Sequence, residues 1–330
     1  MRIEDAALLF IYAETPLHPG AGSGTGPIDN PVQREVTTDL PFIPASMVKG
    51  TMRAEFDARI KAEDNKEEKE RKKKKVNAVF GPPVKDPDAG QDGSRPITHA
   101  SAAAFTDARL LAFPVRIPQG MFIWTTCPLV LHRLQRDLAL VPEGVRPAVP
   151  EFPEWDGRRA LVPDEKLLVE GDPPLLALED ILIEPAEQDD PVKELAGWVA
   201  GRIFPNSEDR YWHGLLAKRL ALVPDEVFAG LTLRCTEVVT RTRMEPNQKV
   251  VEDGGLWTVE YIPPETIFYS TILFTTPSER AESGLKSAVD ARKFLIEQSP
   301  TRLQVGGDET VGRGFARIAL TGKDLDESKD

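Results

Sequence analysis

Residues 266–318, TIFYSTILFTTPSERAESGLKSAVDARKFLIEQSPTRLQVGGDETVGRGFARI, decide how the chain is built. Thr266–Thr276 is a run of β-branched, aromatic and apolar residues, the composition of a buried strand. Leu285–Gln298 reads as a helix, and a strand over 314–320 closes the unit. Between helix and strand lie Gly306, Gly307, Gly312 and Gly314, grouped around Arg313. The order is strand, helix, glycine-rich hairpin, which supplies one β-α-β half of a split α+β fold.

Glycine permits positive φ and close backbone approach to a ligand, so the loop is able to drape over a phosphate chain with Arg313 and backbone N–H groups as donors. It is not a P-loop, because no Gly-Lys-Ser/Thr follows. Nor is it a dinucleotide fingerprint, because a strand rather than a helix comes next. Taken alone, such a hairpin is a turn as readily as a site.

A second stretch carries complementary chemistry: Thr15–Arg53, TPLHPGAGSGTGPIDNPVQREVTTDLPFIPASMVKGTMR. It opens on His18, runs through Gly20, Gly22, Ser23, Gly24 and Gly26, and reaches Asp29 two residues before Pro31. Ser46, after Pro44, is placed to cap a helix over Ala45 to about Lys61, whose N-terminus attracts anions. Lys49 and Arg53, four residues apart, share one face of it. By itself the pair also fits an ordinary solvated helix face, and Asp29 also fits an Asp capping the turn before Pro31.

Composition bounds the rest. The 330 residues can bury a sizeable core, and 41% hydrophobic content fits a soluble globular protein. No run approaches the roughly 20 apolar residues of a membrane span, and MRIEDAALLF has acids where a signal peptide is basic, so the cytoplasm is expected. Cys127 and Cys235 are too few for a disulfide framework and lie in no CxxC or Cys/His cluster, which argues against structural zinc; both read as buried thiols in strands. The net charge of −12 runs against a free-standing nucleic-acid binder unless cations concentrate on one face. Acids crowd at Glu179, Asp180, Glu184, Glu187, Asp189 and Asp190, and again at Asp324, Asp326, Glu327 and Asp330.

Along the chain, Ala7–Ala13 reads as a strand, and Lys61–Lys75 as a charged, solvated helix or arm. Gly81–Arg95 reads as a loop, Leu110–Arg116 and Met121–Cys127 as two strands, and Pro128 to about Leu140 as a helix. Val141–Pro174 is irregular, Leu178–Ile183 a strand, and Val192–Leu222 helical in two pieces broken near Pro205. Cys235–Pro263 alternates as a long hairpin, Val238, Thr240, Thr242 and Met244 ascending and Trp257, Val259 and Tyr261 descending.

The segments IDNPVQRE, IPASMVKGTMR, FTDARLLAFPVRIPQGMFIWTTCPLVLHRL, VVTRTRMEPNQKVVEDGGLWTVEYIPPETIFYS and VGGDETVGRGFARI resemble the RAMP superfamily of CRISPR proteins, and within it the backbone subunit of the type III-B effector, the Cmr complex. The resemblance spans Ile28 to Ile318. It implies an α+β fold with a ferredoxin-like (RRM-like) palm: a single elaborated domain over residues 1–330, with insertions at 61–110 and 141–235 and a thumb hairpin at 236–263. It implies a subunit repeated along CRISPR RNA in a helical filament with other Cmr-complex subunits, cutting single-stranded target RNA beside each nucleotide the thumb displaces. Carried onto this chain, the required acid is Asp29, with Mg²⁺ or another divalent cation as its expected partner, or with Asp29 acting directly on the 2′-OH. His18 ranks below it as acid or base. Ser46, Lys49, Arg53, Gly306, Gly307, Gly312, Arg313 and Gly314 are the expected RNA contacts, and Met244 a candidate wedge. Two readings stay open, a cutting subunit and a purely structural guide-binding one; a third, a guide-processing nuclease, needs a better-supported acid/base pair than the chain offers.

Overall fold

The computed structural model describes residues 2–24, 26–83, 99–141, 143, 146, 148–152, 155, 157–245 and 250–321. Its first half runs β1 (Asp5–Ala13), β2 (Phe42–Ile43), α1 (Ala45–Lys61), α2 (Lys66–Phe80), β3 (Ala103–Phe105), β4 (Ala108–Ile117), β5 (Met121–Thr126) and α3 (Pro128–Ala139). Next come β6 (Ala160–Val162), β7 (Leu176–Leu178), β8 (Ile181–Ile183), β9 (Ala186–Gln188), α4 (Asp190–Ile203), α5 (Arg210–Leu216), β10 (Leu220–Leu222) and α6 (Asp225–Arg234). The chain then makes the ribbon β11 (Glu237–Met244) and β12 (Val251–Tyr261), followed by β13 (Ile267–Phe274), α7 (Ala288–Gln298), β14 (Arg302–Gln304) and β15 (Phe315–Thr321).

One large mixed sheet organises the molecule in the order β14-β15-β1-β13-β4-β5-β10-β6-β9, with β2 joined to β4 and β3 to β13. β1 lies inside it, antiparallel to both β13 and β15, and all nine of its residues are buried. A strand covered on both faces loses the polar alternation of a half-exposed one, which is why DAALLFIYA is so nearly continuous in apolar residues. Side-chain alternation sorts the two faces. Phe10 and Tyr12 meet Trp198 and Phe204 of the α4 segment at 5.7 and 5.0 Å between ring centroids. Asp5, on the opposite face, pairs at 2.6 Å with Arg292 of α7, both side chains buried. Phe56 of α1 packs on Phe294 of α7 at 5.9 Å, so α1 and α7 share that face and α4 closes the other.

Several boundaries depart from the sequence reading. The lysine-rich arm is a separate helix, capped by Asn65, whose last turn turns apolar and packs Phe80 against Phe56 at 5.3 Å. Leu178–Ile183 is not one strand, because Glu179 takes φ +52° and folds it into the β7–β8 hairpin. The second helical piece ends at Leu216, and 220–222 becomes β10, parallel to β5. Neither cysteine lies in a strand. Cys127 caps the N-terminus of α3, Cys235 ends α6, and burial raises both thiol pKa values, so neither is poised as a thiolate. Most of the Gly81–Arg95 loop and the acids at 324–330 lie outside the described residues.

Candidate nucleic-acid interface

The two glycine-bordered regions meet. Gly307 N–H donates to His18 O at 3.1 Å, Gly314 N–H to Pro16 O at 2.9 Å, and Phe315 N–H to Thr15 Oγ1 at 2.9 Å. The glycines are there for geometric reasons. Gly306 has φ +87°, and a Cβ on it would stand 2.3 Å from His18 O; a Cβ on Gly314 would stand 2.7 Å from Val305 O. Gly306→Ala is expected to cost about 2 kcal/mol or more in urea unfolding, whereas Gly26→Ala, whose Cβ would meet open space, stays within about 0.5 kcal/mol of wild type.

The N-terminal region lies along one edge of β12 and its continuation, and the glycine loop joins it at His18. Leu17 exchanges backbone hydrogen bonds with Ile262 at 2.9 Å each way, and Asn30 pairs with the Thr258–Glu260 stretch in parallel at 3.0 Å. His18 Nδ1 donates to Glu260 O at 2.8 Å, and because a carbonyl only accepts, the bond fixes the proton on Nδ1 of the neutral ring and leaves Nε2 as acceptor. Beneath this edge the Glu260 carboxylate, 3% exposed, accepts from Arg34 Nη2 at 2.6 Å, Thr236 Oγ1 at 2.9 Å and Val32 N–H at 3.0 Å. A buried carboxylate with this many donors is a clamp, here fixing residues 30–34 to the ribbon root.

Asp29 is exposed, but its position is fixed. Its Oδ2 accepts from both the backbone N–H and the hydroxyl of Thr258, each at 2.8 Å, and its own N–H donates back to Thr258 Oγ1 at 2.9 Å. The Thr258 N–H, then its hydroxyl, hold the Asp29 carboxyl below the usual carboxylate range. It is therefore an anion at neutral pH and a weak proton acceptor, better suited to orienting a hydroxyl or ligating a cation than to removing a proton. No group of three or more His, Cys, Asp or Glu side chains able to hold a metal forms among the described residues. The Asp29 carboxylate suits a divalent ion as a single hard oxygen ligand, not as part of a resident metal cage.

A cluster that no single segment announces fills the other side of the ribbon root. Tyr261, buried, donates its hydroxyl to Asp308 Oδ2 at 2.7 Å and accepts from Arg241, whose Nη1 reaches Asp308 Oδ1 at 2.9 Å. Arg313 lies over the Tyr261 ring at 4.6 Å and pairs with Glu237 at 3.4 Å, and the His18 ring is 5.6 Å from Tyr261. Burial, then the Asp308 bond, push the Tyr261 phenol up to about 12, so it stays a donor. Arg313, read from sequence as a free phosphate ligand, is thus partly engaged in tying the glycine loop to the ribbon.

The helix that was to join this cradle is committed elsewhere. Ser46 is not the N-cap of α1; Pro44 holds that position with no side-chain bond, and Asp107 Oδ1 accepts from Ala45 N–H at 2.8 Å. An internal acid thereby occupies the helix end that an external anion would seek. Lys49, half-buried with its pKa lowered by that burial, donates to Ser101 Oγ at 3.0 Å and Ala103 O at 3.3 Å. Arg53 donates to Asn77 Oδ1 at 2.9 Å and to Gly81 O, and pairs with Asp57 at 3.4 Å. Met244 lies near the far end of β11, exposed, and the tip residues 246–249 are outside the described set.

Comparison with known proteins follows the same lines. A family model described as the RAMP superfamily matches residues 10–317. The chain is 33% identical over 315 residues to CRISPR system Cmr endoribonuclease Cmr4 of Pyrococcus furiosus, covering 96% of this chain and 95% of that one. It is 25% identical over 326 residues to CRISPR system CMR subunit Cmr4 of Saccharolobus solfataricus, covering 94% of each. The crystal structure of oligomeric Cmr4 from Pyrococcus furiosus matches it with a TM-score of 0.65 at 29% identity, over 96% of this chain and 99% of that chain. A match through nearly the whole length settles the affiliation: this chain belongs to the RAMP superfamily, among the relatives of Cmr4.

Proposed function

We propose that the chain is the repeating backbone subunit of a type III-B CRISPR effector in the cytoplasm, binding CRISPR RNA along a filament of its own copies with other Cmr subunits and cutting complementary target RNA at regular intervals. The observation that carries this is the exposed, ionised Asp29 held on the ribbon root beside His18 and the glycine loop. The relative at 33% identity is named an endoribonuclease, which supports the reading.

The palm is read as ferredoxin-like. Supporting this, β15, β1, β13 and β4 lie side by side in that order, each antiparallel to its neighbour, with α1 and α7 on one face. An RRM-like sheet ordinarily stacks bases on its open face, but α4 covers that face here. RNA is therefore directed to the strand ends: the glycine loop 306–314, the 16–34 segment and the ribbon as thumb, with residues 61–110 and 141–235 as insertions around the palm. Gly306, Gly307, Gly312, Arg313 and Gly314 remain the guide-facing residues; Ser46, Lys49 and Arg53 serve it through the placement of α1 more than through free charge.

RNA carries its own nucleophile. The ribose 2′-oxygen attacks the adjacent phosphorus, the bond to the 5′-oxygen breaks, the 2′-proton leaves and the 5′-oxygen gains one, giving a 2′,3′-cyclic phosphate and a 5′-hydroxyl. Proximity already supplies much of the rate, and what remains is in-line alignment and charge relief. Asp29 orients the hydroxyl or holds the cation; a bound divalent ion supplies charge relief at the phosphorane. The complex assembled on a guide, given complementary RNA with Mg²⁺, is expected to cut at a regular spacing, to leave those termini, to spare linkages bearing a 2′-deoxy sugar and to stop on chelation with EDTA. Tight target binding without cuts would identify a structural guide-binding subunit instead.

A further inference from the structure

An RRM-like sheet ordinarily binds RNA by stacking bases on exposed rings, but Phe10 and Tyr12 of β1 are buried under Trp198 and Phe204. Exposed rings stand instead at the strand ends beside the glycine loop. We infer that Tyr211 and Trp212 of α5 form a platform on which bases of a single-stranded RNA segment stack as it passes that loop; this rests on the RNA-binding reading above.

Phe315 opens β15 directly after Gly314 and is exposed. Alternation puts Arg317 on the same face, about 7 Å further along, opposite Tyr12 of β1. From Arg317 a series of ring contacts leads outward. Its guanidinium lies over the Phe204 ring at 5.4 Å, Phe204 stacks on Trp212 at 6.4 Å with 23° between the planes, and Trp212 meets Tyr211 edge-on at 5.5 Å. Phe204 is buried, whereas Trp212 is 36% and Tyr211 69% exposed, so the series ends in open π surface. Trp212 also packs on Tyr12 at 6.5 Å, which gives it a task within the subunit; among the described residues the only ring partner of Tyr211 is Trp212.

The surroundings favour RNA over an apolar protein partner. Arg210, exposed and in no ion pair among the described residues, immediately precedes Tyr211. Beside the rings opens a cleft of about 480 Å³ whose lining includes Arg202, Asn206, Thr301, Arg302 and Arg317, with Glu208 and Asp209 as its acids. Arg302 is held by Glu14 at 2.6 and 2.9 Å, and Arg317 by Asp209 at 2.6 and 2.8 Å. Two guanidiniums fixed in this way brace the rings, which leaves stacking as the main contribution and Arg210 as the phosphate contact.

The test has two binding arms on full-length protein: a guide fragment long enough for one subunit only, and target RNA with the complex assembled on its guide. Tyr211→Ala is expected to weaken at least one arm by about fivefold or more, and Tyr211→Phe to stay within about twofold of wild type. In the affected arm Arg210→Gln should lower the slope of log affinity against log salt by about 0.7, and the fall in tryptophan fluorescence on RNA binding should shrink in Trp212→Phe. A loss with the guide fragment assigns the platform to the guide, and a loss confined to the other arm assigns it to the target. Affinities within about twofold of wild type in both arms for Tyr211→Ala overturn the inference and leave the proposed function standing, as does weakened self-association of RNA-free protein at unchanged RNA affinity. Wild-type protein that binds RNA in neither arm overturns the proposed function itself.

Discussion

Asp29→Asn is expected to lower target cutting in the assembled complex by about 100-fold or more while target binding stays within about twofold. The amide oxygen of asparagine can still accept from the Thr258 N–H and hydroxyl, so the 28–34 segment keeps its place and the change isolates the charge. Asp29→Ala should silence the same cuts, with some loosening of the segment added. Unaltered, regularly spaced cuts in both variants would place the chemistry on another residue. The pH dependence has a definite sign. Because Thr258 depresses the Asp29 pKa, its ionised form persists to lower pH than that of an ordinary carboxylate, and its contribution is lost only as pH falls through that depressed value. From pH 8 down to 5 the protonation of Asp29 should leave the cutting rate unchanged. An inflection inside that window would place the titrating group elsewhere than Asp29.

Glu260→Ala carries the largest expected effect on stability, about 3–5 kcal/mol in urea unfolding, because it removes one partner of a buried pair and strands the others. Arg34 would keep its charge with its carboxylate gone, and the Val32 N–H and Thr236 hydroxyl would lose their acceptor. Cutting should fall as well, since Asp29 stands one residue before the Asn30 bridge that Glu260 helps to hold. A double-mutant cycle with Arg34→Met separates the pair from the clamp: if the ion pair dominates, the double variant recovers about 1–2 kcal/mol over Glu260→Ala. Additive losses would point to the Val32 and Thr236 bonds as the seat of the cost.

Much of the central sheet and its flanking ribbon was readable from residue order. The bounds of α1, the ribbon, β13 and the glycine-rich approach to β15 all carry strong periodicity or decisive turn residues, and the structure agrees with them closely. The three-residue strands β6, β9 and β10 are too short for any periodicity, and α6, DEVFAGLTLR, was masked by its weak amphipathicity. Asp29 entered as a candidate through the family resemblance, since an acid before Pro31 fits a turn cap as readily, and His18 as the histidine near it in sequence. Thr258, Glu260, Arg241, Tyr261 and Asp308 did not enter, since their importance lies in partners that tertiary folding alone brings within reach. The Ser46 assignment failed for a local reason: Pro44 takes the N-cap position two residues earlier, and Asp107, 62 residues from Ala45, satisfies the first helical N–H.

The pairing of β1 with β15 reaches across the chain, with Thr15 accepting from Phe315 300 residues later. A nascent polypeptide leaving the ribosome therefore holds Asp29 and His18 long before the glycine loop that braces them exists, and such non-local closure is slow to form. Truncated translation products would lack the clasp that joins the two regions, and with it the backbone bonds that hold residues 15–18 to the glycine loop.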